Sequence, residues 1–163
     1  GVLTDSTPLW GGLPIAESIP LVYSDTGGGI PRTNIARATT ISGITGWSVF
    51  NSNLNAIQTP SSPVPTWQQG QDVAFIRSGG AYRLYVPIDA TLAATLANGS
   101  TAITTQVSWD FTNNKIITYS SGIGALAAKI LHVRAGNSKV VSWDGTNATW
   151  ASGASYAVAL IEV

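Results

Sequence analysis

Val107-Ser108-Trp109-Asp110-Phe111-Thr112-Asn113 and Val141-Ser142-Trp143-Asp144-Gly145-Thr146-Asn147 differ at a single letter, VSWDFTN against VSWDGTN. In each copy an apolar stretch ends in Trp, and Asp-x-Thr-Asn follows. Asp and Asn side chains bond backbone N–H groups two residues on and tolerate turn conformations. A new β-like stretch then begins, Lys115-Ile116-Ile117-Thr118-Tyr119 after the first copy and Ala148-Thr149-Trp150 after the second. The pattern predicts two hairpins closed by one turn chemistry, each Trp covering an end of the core. A sharper reading is a duplicated binding site, because a Trp ring stacks on a pyranose while Asp and Asn take its hydroxyls.

The same texture extends outward from these turns. TAITTQVSW, ALAAKILHV and SYAVALIEV read as strands, while RATTISGITGWSVF is dense in β-branched residues and broken at Gly43 and Gly46 as turns or bulges would break it. QDVAFIRSGGAYRLYVPI predicts a hairpin: Val73 and Phe75 alternate outbound, Ser78-Gly79-Gly80 turns, and Tyr82, Leu84, Val86 and Ile88 return on one face. Asn51 to Thr66 is a Pro-containing connector. One helix is expected in DATLAATLAN, capped by Asp89, with Leu92 and Leu96 four apart and Gly99 placed to end it. SYAVALIEV is nearly apolar throughout, so it is either enclosed in a closed barrel or laid against a neighbouring subunit.

Residues 1–31 differ in character, with Pro8, Gly11-Gly12, Pro14, Pro20, Gly27-Gly28-Gly29 and Pro31, and one short apolar piece at Ile19 to Tyr23. Proline cannot donate to a sheet ladder, so this part reads as an extended arm. Leu9, Trp10, Leu13 and Ile15 would anchor it, either on a neighbouring molecule or back on its own barrel. The expected architecture is therefore all-β: a single β-barrel or jelly-roll-like sandwich over residues 32–163, with an extended N-terminal arm over 1–31.

Composition narrows the chemistry. The chain has 163 residues, enough for one domain with a self-sufficient core. Charged residues make up 10% against an average near about 25%, and the net charge is zero, which suits a subunit of an assembly. Eight scattered Lys and Arg do not form a track for a phosphate backbone, so no nucleic-acid partner is expected. Without cysteine there is no disulfide, thiolate metal site or cysteine nucleophile. The start GVLTDSTPLW lacks the pattern of a signal peptide, and no apolar run approaches a membrane span; cytoplasmic synthesis with no membrane partner is the expectation.

No catalytic, cofactor or metal site is expected either. The single histidine, His132 in KILHVR, falls mid-strand, with alternation grouping it with Ile130 and Arg134. Of the eight acids, Glu17 lies in the arm, Glu162 near the end, and most Asp at turns, so neither a glycosidase pair nor a ligand cluster emerges. The glycines at 27–29 and 79–80 lack a phosphate-loop context. Asn98-Gly99-Ser100 and Asn147-Ala148-Thr149 match the glycosylation acceptor pattern, which matters only in an exported protein.

The ending GNSKVVSWDGTNATWASGASYAVALIEV, preceded by TPLWGGLPIAESIP, IPRTNIARATT and QDVAFIRSGGAYRLYVPI, resembles capsid cement or head-decoration proteins of tailed bacteriophages. The likeness spans most of the chain and rests on texture and order rather than on a diagnostic motif. It implies a β body on the outer surface of a virion capsid, bracing the shell of major capsid protein as a trimer or dimer after synthesis in the host bacterial cytoplasm. That family offers no catalytic motif to carry over, so the candidate capsid or subunit contacts come from the residues themselves: Leu9, Trp10, Leu13 and Ile15. The alternative is a carbohydrate- or receptor-binding β-sandwich module of a tail or head fibre.

Overall fold

Both VSWD stretches close antiparallel hairpins. β7 (Val107–Asp110) pairs with β8 (Lys115–Thr118), and β10 (Ser138–Trp143) pairs with β11 (Ala148–Gly153). Asp110 Oδ1 accepts from the N–H groups of Thr112 and Asn113 at 2.8 and 3.0 Å; Asp144 Oδ1 accepts from Thr146 and Asn147 at 2.8 and 2.7 Å. The turn chemistry is shared, but the register is not. Asp110 still pairs with Lys115, whereas pairing in the second hairpin ends at Trp143 and Ala148. The one differing letter follows from this shift. The second loop has its left-handed residue at Gly145 (φ 100°), and the first has it at Asn114 (φ 54°), leaving Phe111 free of that constraint.

A computed structural model describes residues 1–19, 33–50, 63–99 and 105–163. Strand is its dominant regular structure, with one sheet curled into a half-barrel, consistent with an all-β barrel or sandwich. One five-stranded sheet has the order β1-β3-β2-β4-β5, built from β1 (Val2–Leu3), β2 (Pro14–Ser18), β3 (Asn34–Arg37), β4 (Gly46–Ser48) and β5 (Phe75–Arg77). The other has the order β7-β8-β6-β12-β9 and adds β6 (Arg83–Ile88), β9 (Lys129–Arg134) and β12 (Ala157–Glu162). Trp47 on β4 and Trp109 on β7 meet edge to face between the two sheets, with centroids 5.2 Å apart and planes at 83°. Both rings are fully buried, and this T-shaped contact is the favoured geometry for aromatic quadrupoles.

The helix forms where expected. α1 (Ala90–Ala97) starts at Asp89, whose Oδ1 accepts from Thr91 and Leu92, and Gly99 follows it at φ 68°. Leu92, Ala93 and Leu96 form its buried face. The Lys115 ammonium binds Asp89 Oδ2 at 2.9 Å and is the main reason that this carboxyl sits below its ordinary pKa.

Four expectations need correction. QDVAFIRSGGAYRLYVPI is not a paired hairpin: β5 joins β4 in the first sheet, while β6 joins β12 and β8 in the second. Ser78–Gly80 therefore carries the chain from one sheet to the other. Gly46 does not break its strand but lies within β4, where an added Cβ would collide with the Ile76 carbonyl oxygen across the ladder. On β9 the alternation slips at a bulge, since Leu160 faces His132 and Ile161 faces Ile130. Ile130 is consequently buried while His132 and Arg134 are exposed, so His132 does not share a face with Ile130.

The fourth concerns the arm. Residues 1–18 supply two strands of the first sheet, β2 lying between β3 and β4. Ser48 Oγ, fully buried on β4, accepts from Leu13 N–H at 3.0 Å and donates to the Trp10 carbonyl at 2.6 Å. Buried Leu3, Leu9, Trp10, Leu13 and Ile15 make this segment part of the core: of the two alternatives it is anchored on its own body, as sheet strands and not as an extended arm. The apolar piece continuing to Tyr23, the glycines at 27–29, most of the 51–66 connector and the stretch 100–104 lie outside the described residues. β12, the apolar C-terminal stretch, is flanked on both edges by β6 and β9 and buries alternate side chains. Its pairing is thus satisfied within the chain.

Candidate binding cleft

β10 packs beside β6 and β12, and the hairpin it forms with β11 shares cleft walls with Trp10, Gly11 and Leu13 of the N-terminal segment. β11 presents Trp150, 45% exposed, and β6 presents Tyr85, 66% exposed. Phe50, just beyond β4, is 55% exposed and lies 6.4 Å from the buried Trp67 ring. Two adjoining apolar clefts of about 300 and 160 Å³ share Trp10, Gly11, Val141 and Trp150 as walls. Phe50 and Val64 complete one, and Tyr85 and Leu13 the other. The Lys139 ammonium lies 4.7 Å over the Trp150 ring, a cation–π contact that steadies an exposed indole.

The back wall is held by a second cation–π cluster. Trp10 and Trp143 pack at 5.5 Å between centroids, and the Arg37 guanidinium lies 4.5 Å from the first ring and 5.4 Å from the second. Arg37 Nη2 donates to the Pro8 carbonyl, and the Arg37 N–H donates to Asp5 Oδ2 at 2.6 Å. Burial pushes this guanidinium down to about 10, against the pull of Asp5. The cluster ties the N-terminal segment, β3 and the second VSWD turn together at the edge of the cleft.

Leu9, Trp10, Leu13 and Ile15, the residues expected to touch a capsid or subunit, are between 0 and 3% exposed. A partner cannot bury what the chain has already buried, so these side chains are core, with only Trp10 and Leu13 showing an edge to the cleft. The exposed aromatics that the structure brings together were missed, except in one respect. Placing Val86 and Ile88 on the inner face of their strand leaves Tyr85 pointing out, and an outward Tyr amid apolar residues was a readable signal. Phe50 and Trp150 come from segments far apart in sequence and gave none.

His132 stands on the exposed side of β9. Among the described residues, no three His, Asp or Glu side chains gather in a way that could hold a metal ion, and no helix is long and apolar enough to cross a membrane. No family model matches the chain, and neither a curated protein nor a solved structure matches it.

Proposed function

We propose that this chain is a non-catalytic attachment protein that decorates the outer surface of a phage capsid and braces its shell of major capsid protein. The observation that carries the reading is the set of exposed aromatics, Phe50, Tyr85 and Trp150, that line two adjoining apolar clefts. Aromatic side chains dominate the core of protein interfaces, and contiguous exposed apolar surface marks a contact site. The low charge and the sequence resemblance to capsid cement proteins support a protein surface as the partner. Attachment runs through this cleft and not through an N-terminal arm.

Magnitudes favour an assembly in which the contact repeats. Each large aromatic buries about 150–250 Å² in full, and about half of that is still open here. Covering roughly 300 Å² at about 25 cal/mol per Å² stabilises a contact by about 7 kcal/mol gross. Association costs on the order of 4–15 kcal/mol, so one such patch binds weakly. Oligomerisation as a trimer or dimer joins several patches and raises avidity without new contacts.

Virions purified from a host that carries the gene provide the test. The expected result is a copy number comparable to that of the major capsid protein, together with failure of a folded Tyr85→Ala/Trp150→Ala double variant to add back to stripped particles. A few copies per virion, none, or full add-back by the double variant would overturn the proposal.

A further inference from the structure

We propose that the two VSWD copies jointly build one site for a single ring of a neutral saccharide. This goes beyond shell attachment and rests on a different cleft, of about 260 Å³, which shares Pro87, Val140 and Val141 with the apolar clefts but neither Tyr85 nor Trp150. The first motif contributes Asn113 from its turn, and the second contributes Ser142 and Trp143; Lys115, Ser155 and Tyr156 complete the polar and aromatic wall. Two equivalent sites are ruled out by burial. Trp109 is fully enclosed against Trp47 and reaches no cleft, whereas Trp143 keeps a partly exposed edge on this one.

The lining selects the ligand class. Tyr156 supplies a ring surface for the C–H face of a pyranose, Trp143 borders the cleft with its ring packed on Trp10 and Arg37, and Ser142, Ser155 and Asn113 supply groups that both donate and accept. Asn113 donates through Nδ2 to Asp110 Oδ2 at 2.7 Å, which fixes the amide and leaves its carbonyl oxygen to accept. The one cation in the wall, Lys115, is matched by Asp89 at 2.9 Å, and no carboxylate lines the cleft. A phosphorylated or carboxylated ligand would find no unmatched positive charge there, and a wholly apolar one would strand the hydroxyls and the amide. The volume lies below that of a drug-sized pocket, so one sugar ring enters and any further residues of a glycan stay outside.

Amide and indole NMR shifts of the full-length chain, titrated with neutral methyl pyranosides (glucoside, galactoside, mannoside and N-acetylglucosaminide), provide the test. We expect one of them to shift the Trp143 indole and the Asn113 signals, with weak affinity in the millimolar range. Asn113→Ala and Tyr156→Ala should each weaken binding at least about tenfold, the loss of one hydrogen bond or one stacking face. Neither residue is in the core, so both variants should keep the circular dichroism of the parent. No shift with any pyranoside, shifts unaltered in both variants, or tighter binding of a sugar phosphate or sialoside would overturn the inference. Capsid add-back by the same two variants separates the proposals: it should be unimpaired, since attachment uses Phe50, Tyr85 and Trp150.

Discussion

Deleting residues 1–16 should unfold this protein rather than free it from a partner. The segment carries Leu3, Leu9, Leu13 and Ile15, each at most 2% exposed, together with Trp10. Full burial of an aliphatic side chain stabilises by about 1.5–3 kcal/mol, so the four account for about 6–12 kcal/mol before Trp10 is counted. A domain's whole stability is about 5–15 kcal/mol. The deletion also removes β1 and most of β2, leaving β3 without a partner and β4 paired only with β5. A graded version is Ile15→Ala, which costs about 2–5 kcal/mol through lost transfer energy and the cavity left behind. At about 2–4 °C per kcal/mol for a chain of this size, Tm should fall by about 4–20 °C. Far-UV and near-UV circular dichroism melts read both changes. A truncated chain that still melts cooperatively within a few degrees of the parent would refute the placement of this segment in the core.

Two further outcomes test the turns and the core. The side-chain and backbone N–H groups of Asn113, with that of Thr112, outweigh burial and hold the Asp110 carboxyl below its ordinary range, while the N–H groups of Asn147 and Thr146 do the same for Asp144. A depressed carboxylate pKa stabilises the fold above the unfolded value of about 3.9, and this stabilisation is lost as pH falls through the folded value. Asp110→Asn/Asp144→Asn should therefore flatten the loss of urea resistance between about pH 5 and pH 2; an unchanged acid slope would contradict it. A double-mutant cycle of Trp47→Leu and Trp109→Leu should return a coupling of about 0.5–1.5 kcal/mol in urea titrations, and additivity would mean that the edge-to-face contact contributes nothing.

What could be read from the chain is local. Asp89 before a run of good helix formers, Gly99 after it, and Asp-x-Thr-Asn after Trp each state their own geometry, because the groups that bond are two to four residues apart. Partner choice is not local. Alternation in Arg83–Ile88 showed which side chains face inward, but nothing in Ser78-Gly79-Gly80 revealed that the strands on either side belong to different sheets. Leu9, Trp10, Leu13 and Ile15 would have the same spacing whether they met their own barrel or another subunit. The cleft escaped notice for the same reason, since Phe50, Tyr85 and Trp150 meet only after three distant segments have paired.

β12, which follows both of its neighbours in the chain, occupies an interior lane of its sheet, with β6 on one edge and β9 on the other. During synthesis those two neighbours emerge first and must wait, their backbone donors and acceptors open to whatever strand arrives. Any product halted before Ala157 would leave a slot one strand wide. Such a fragment is a ready template for strand exchange between chains, so prematurely terminated copies should clump with one another and could poison the folding of complete ones.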